Sequence, residues 1–96
     1  MSTAEDQGLE FVQHLHDILL NDWDPLKIRK KADMSDEYDS HIENILDIFE
    51  DETATQTHIF DYLNYAETEL LQVKPNPKAT ALASEKIWAA FQAFIA

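Results

Sequence analysis

Apolar residues return every three or four positions along most of this chain, the spacing of one face of an α-helix. In the first stretch Leu9, Val12, Leu15 and Leu19 form the stripe, with Phe11 and Ile18 one step round, and predict a helix from roughly Ala4 to Leu20. The pattern then breaks, and Asp22 to Met34 reads as a long loop with room for a short turn of helix. Tyr38, Ile42, Ile45, Leu46 and Phe49 give a second, narrow stripe, for which Ser35 is the expected N-cap and Asp36 and Glu37 the acidic first turn. A third helix is expected to open at Thr53, with Gln56 completing a capping box. Its apolar positions are Ile59, Tyr62, Leu63, Ala66 and Leu70, with Phe60 and Tyr65 off the stripe. The segment VKPNPK stops it; Asn76 can cap a last helix with Pro77 in its first turn, where a missing N–H costs nothing. That helix carries Leu82, Ile87, Trp88, Phe91, Phe94 and Ile95 on an Ala-rich background, so it is expected to be the central or most buried helix.

Four helical patterns and one glycine, Gly8, leave little for hairpins to turn on. The expectation is an all-α protein, a compact bundle of about four helices, forming one acidic domain over residues 1–96 with one modest core. There is no internal repeat and no linker long enough to divide it.

Charge changes the picture more than composition does. Seven Lys+Arg stand against 19 Asp+Glu, a formal net charge of −12. Between Ala32 and Val73 there is no lysine or arginine, and twelve acids. The whole imbalance therefore lies in the middle of the chain. Phosphate backbones require a basic surface, so nucleic acid is not an expected partner. A basic protein surface is the natural complement. No apolar run approaches the roughly 18 residues of a membrane span, and MSTAEDQGLE is acidic and polar, the reverse of a secretory leader. The absence of cysteine fits a reducing compartment. Together these point to a cytoplasmic chain without a membrane partner.

Candidate chemistry is sparse. His14 and His16 are two apart and face different sides of a helix, His41 and His58 fall on different helices, and no metal-ligand spacing links them. Asn21, Asp22 and Asp24 resemble the start of a calcium loop, but the turn glycine and the bidentate glutamate at its twelfth position are missing. There is no nucleophile elbow and no glycine-rich phosphate loop. No enzymatic activity, metal or other cofactor is expected.

The acids of the second helix are the strongest chemical signal. Asp36, Asp39, Glu43, Asp47 and Glu50, spaced 3, 4, 4 and 3, share one side of the helix and flank its core stripe. Like charges at such spacings destabilise a helix by about 0.2–0.5 kcal/mol per pair, and no lysine is interleaved to relieve them. Solubility is the plain explanation; docking onto a cationic protein surface is the sharper one. Phe60, Asp61 and Tyr65 of the third helix join the candidate surface, because aromatics beside acids are suited to binding hot spots. Tyr38 and Tyr62, on apolar stripes, are expected in the core.

The segment NDWDPLKI reads as a structural clasp. Pro25 disfavours helical backbone at Asp24, so the first helix ends before it. Asp22 or Asp24 can bond nearby amides, Trp23 tucks under the loop beside Leu26 and Ile28, and Lys27 to Lys31 form a basic rim able to pair with acids of the second helix. With DEYD eight residues on, this stretch resembles the YugE-like family of small helical bacterial proteins, whose pattern is roughly N-x-W-D-P-[I/L]-G-[V/I] followed by D-E-Y-D-x-Y. Asn21, Trp23, Asp24, Pro25, Leu26 and Ile28 match the first half, and Asp36, Glu37, Tyr38 and Asp39 the second. The chain departs at Lys27, where the family has glycine, and at His41, where it has an aromatic. The resemblance covers about a quarter of the chain. It implies a helical bundle and, because relatives are sometimes found beside polymorphic or contact-dependent growth-inhibition toxins, an immunity role against a basic toxin domain, with a nuclease as the expected type. The alternative is a small non-enzymatic regulatory or adaptor protein. The pattern does not settle the oligomeric state.

Overall fold

In a computed structural model that describes residues 4–96, four α-helices are joined by tighter and wider turns of helix. They are α1 (Ala4–Ile18), α2 (Ser40–Phe49), α3 (Gln56–Tyr65) and α4 (Pro77–Ile95). The polar start read over Met1 to Thr3 lies outside the described residues. The bundle measures 41 × 33 × 19 Å, so it is about two helix diameters thick. α4 packs against both α1 and α3, and α2 lies across α1 and α3. Among the described residues there is no strand, and no helix is long and apolar enough to cross a membrane.

α1 and α3 both end in a single π-helical turn, Leu19–Trp23 and Ala66–Leu70. In each an N–H reaches the carbonyl five residues back, Asp24 to Leu19 at 2.9 Å and Leu71 to Ala66 at 2.8 Å. The extra residue in such a turn shifts which positions face inward. At the end of α3 the α-helical register would bury Leu70. The π turn packs Leu71 on the core in its place and leaves Leu70 exposed, while Glu67, four residues after Leu63 on the same face, is buried. At the end of α1 the same device carries Trp23 into the core. Pro25 and a left-handed Asp24 (φ 36°) then stop the helix.

The start of α2 differs from expectation. Ser35 is not its N-cap and instead closes a short 3-10 turn, Ala32–Met34. From Lys31 to Ile42 the chain advances through turns closed three residues back, including Met34 to Lys31, Glu37 to Met34 and Asp39 to Asp36, and the α-helix begins only at Ser40. The tether of Tyr38 to the loop beneath it holds this stretch in tight turns. α3 opens later than Thr53. Its N-cap is Thr55, and His58 takes the part assigned to Gln56, with the Thr55 N–H donating to His58 Nδ1 at 2.8 Å. Thr53 is bound by Asp51, whose carboxylate accepts from its N–H and hydroxyl; those bonds hold the Asp51 carboxyl below the usual carboxylate range. The cap of α4 is as expected, with Asn76 Oδ1 accepting from the Ala79 N–H and Pro77 at the first position.

Two helices bury a different face from the one the pattern suggests. α1 buries Phe11, Leu15, Ile18 and Leu19, while Leu9 is 67% exposed and Val12 stands at the surface. α4 is central, yet it packs through small residues. Thr80, Ala83, Ser84 and Ala90 are buried with Ile87, whereas Leu82, Phe94 and Ile95 are exposed. Small side chains let α1 and α3 approach the α4 backbone closely, which pushes its large residues to the margins.

Candidate functional site

Around α2, successive residues turn by about 100°. Ile42, Leu46 and Phe49 point toward α1, and His41 and Asn44 point toward Tyr62 of α3. Glu43, Asp47 and Glu50 occupy the solvent arc between these two faces, and all three are exposed. None takes part in the ion pairs of the described residues, which are His16–Asp39 at 2.6 Å and Lys86–Asp22 at 2.9 Å. The acidic stripe is thus unneutralised along the helix proper.

The other predicted site residues divide. Asp36 and Asp39 are exposed but precede α2, in the tight turns, and Asp39 is engaged by His16. On α3, Tyr62 faces α2. Asp61 and Tyr65 are four apart, so they share an exposed face beside it. Phe60 lies about 200° round from Tyr62. It is half-buried next to Ala81 and Ser84 of α4, so it does not join Asp61 and Tyr65 in one surface. The basic rim, Lys27, Arg29, Lys30 and Lys31, is exposed and enters neither ion pair, so the pairing with acids of the second helix is not made among the described residues.

Beside the acidic stripe runs an apolar groove that the sequence pattern does not announce. Gly8, Phe11 and Val12 of α1 form one wall and Leu46 and Phe49 of α2 the other, with a volume of about 390 Å³. Phe91 and Phe94 of α4 close one end, where Phe49 and Phe91 stack with centroids 4.0 Å apart and Phe11 and Phe94 at 4.6 Å. Glu50 stands on the rim. The groove continues past Val12 and Leu46 to Ile42, where Glu43 and Asp39 line it. The one hint of it in the sequence is surplus: α1 has more apolar positions than a single face can bury.

Behind this surface the polar side chains are fully used. Glu67, 1% exposed, accepts from Trp23 Nε1 at 2.7 Å, from the Thr80 hydroxyl, and from the Asn76 N–H at 3.0 Å. Asp24 accepts from the Ile28 and Arg29 N–H groups and from the Tyr38 hydroxyl at 2.8 Å, while that hydroxyl accepts from the Leu26 N–H. Burial pushes the Tyr38 phenol far above its ordinary value, with the Asp24 hydrogen bond and charge acting in the same direction. Asn44 donates to the Tyr62 hydroxyl, whose own proton is then free for His41 Nδ1 at 2.8 Å. His41 also meets the Trp23 ring edge-on, and burial lowers its pKa. Among the described residues no buried side-chain nitrogen or oxygen lacks a partner. Nor do three or more His, Asp or Glu side chains assemble a metal site there.

These bonds assign Trp23, Asp24 and Tyr38 a structural task. They close the loop from Asp24 to Tyr38 onto the core, and through Glu67 they bind the ends of α1 and α3 to the start of α4. Both buried carboxylates accept their hydrogen bonds from within the fold, and Asp24 also lines a cleft of about 340 Å³ beside Lys27, Arg29 and Lys30. No family model matches the chain, and neither a curated protein nor a solved structure does.

Proposed function

We propose that this chain is a non-enzymatic protein-binding domain, and specifically a cytoplasmic immunity protein that neutralises a basic toxin domain by covering its active site. The supporting observation is the exposed stripe Glu43, Asp47 and Glu50, unpaired among the described residues and set in a 42-residue stretch without lysine or arginine. Such a stripe weakens its own helix, and a cationic surface would relieve the repulsion on binding. A nuclease domain of a contact-dependent growth-inhibition or similar polymorphic toxin is the partner type that fits, because its phosphate-binding cleft is cationic. The YugE-like pattern is consistent with this reading through its immunity relatives. Its Trp23, Asp24 and Tyr38 lie in the fold's clasp, while its Asp36 and Asp39 are exposed and remain with the binding candidates.

The test is calorimetric titration against the C-terminal domain of the protein encoded immediately upstream, at low and high salt, with the toxin activity assayed in parallel. Tight, salt-weakened binding with loss of toxin activity is expected. Binding without inhibition would transfer the chain to the adaptor reading, and no binding at either salt would remove that neighbour as the target.

A further inference from the structure

The sequence's single glycine sits inside α1, where glycine costs stability relative to alanine through backbone entropy. The fold does not require it there. A Cβ at Gly8 would meet nothing within 4 Å, and its φ is not in the left-handed region. What Gly8 does is leave one wall of the apolar groove bare. Val12, four residues on, is exposed on the same wall, and Phe94 at the groove's end is 43% exposed although apolar and stacked on Phe11. An absent side chain, an unpacked apolar strip and an aromatic floor fit a second helix approaching closely.

We propose that the groove between α1 and α2 receives an amphipathic helix of a partner protein that carries lysine or arginine beside its apolar face. Charge selects this occupant. The charged residues lining the groove and its continuation are Glu50, Glu43 and Asp39, with His16 already paired to Asp39. Asp47 stands on the same solvent arc, and no lysine or arginine lines either part. The ten residues of α2 give a wall about 15 Å long, room for about three turns of a docked helix. A second copy of this chain would oppose acid to acid with −12 on each side, which disfavours self-association through this face. The inference rests on the reading of the chain as a protein-binding domain, but not on the partner being a toxin.

The probe is a labelled peptide of about 14 residues, about four helical turns, with leucine along one face and lysine elsewhere. It is titrated with the full chain by fluorescence anisotropy. Two controls accompany it: a scrambled peptide of the same composition, and a leucine/glutamate peptide with the same apolar face. The amphipathic cationic peptide is expected to bind at least about tenfold more tightly than either control. Gly8→Trp fills the groove and Val12→Lys opposes the cation, and each should weaken binding about tenfold or more. Gly8→Ala should raise the melting midpoint and leave binding within about twofold, which separates groove occupancy from folding. Equal binding of the scrambled peptide, or unchanged binding by Gly8→Trp and Val12→Lys, would overturn the proposal. So would sedimentation as a dimer that Gly8→Trp dissociates, since the occupant would then be a second copy. Toxin neutralisation without peptide binding would discard the groove and keep the immunity reading; groove binding without neutralisation would do the reverse.

Discussion

The two ends of this bundle solve opposite problems. At one end Trp23, Asp24, Tyr38, Glu67 and Thr80 bury polar groups and satisfy all of them. At the other, Phe11, Phe49, Phe91 and Phe94 stack into an aromatic cluster that α1 and α2 leave open as a groove. A buried carboxylate without its donors is costly, so the polar end has one arrangement and little tolerance. An aromatic cluster is held by area and stacking, which are not directional to the same degree, so it can be left incomplete for a partner to finish. The residues that stand out in the sequence, Trp23, Asp24 and Tyr38, belong to the closed end. The groove is lined by plainer residues such as Leu46, Phe49 and Glu50.

The largest test of that contrast pairs one substitution from each end. Glu67→Ala strands Trp23 Nε1 and the Asn76 N–H, leaves the Thr80 hydroxyl only the Asn76 carbonyl, and is expected to cost about 3–5 kcal/mol. Phe94→Ala at the open end should cost about 1 kcal/mol, mainly the stacking on Phe11. Urea unfolding of both variants measures the difference, and equal losses would erase the distinction between the ends.

Next in size is Tyr38→Phe, which removes the hydroxyl bridging Asp24 and the Leu26 N–H, for an expected loss of about 1–3 kcal/mol. Amide exchange should locate the loosening in residues 24–38 and leave α4 protected. Exchange that accelerates uniformly would show that the clasp is not a separate unit.

pH probes the border between the ends, where His41 lies against Trp23 and Tyr62. Burial holds its pKa below the ordinary imidazole value, so the unfolded chain takes up the proton first as pH falls. The stability that depends on a neutral His41 is therefore complete above about pH 6.5 and declines as pH drops from there toward the folded-state value. His41→Phe should flatten this part of the profile in melts recorded between neutral and mildly acidic pH. A slope identical in the variant would assign it to other groups.

The smallest expected effect is a gain. Lys27 has φ 57°, in the left-handed region where a Cβ is strained. Lys27→Gly should stabilise the chain by about 0.5–1 kcal/mol, read as a higher urea midpoint with an unchanged slope. A loss on substitution would mean that the lysine side chain supports the loop.

Where the expectations missed, local geometry was overruled. Ser35 and the acids after it have the residue types of a helix start, yet Tyr38 must reach Asp24, and the chain meets that demand with tight turns. Leu70 falls on an α-helical stripe, but one π turn brings Leu71 to the core in its place. A buried glutamate is the choice that hydrophobic periodicity is least able to anticipate, because its three donors come from residues 23, 76 and 80. In the candidate surface the acids of α2 were legible from spacing alone. Phe60 was misplaced because being off one stripe does not mean facing solvent when a second helix packs there.

Periodicity, turn residues and charge by themselves determined four helices, the cap of α4 and a concentrated negative face, since each depends on neighbours three or four residues apart. Tertiary structure alone decided which of the apolar faces of α1 is buried, that α4 packs through its small residues, and that the acids border an open aromatic groove. Those outcomes depend on distant segments competing for the same space, and no local spacing encodes the winner.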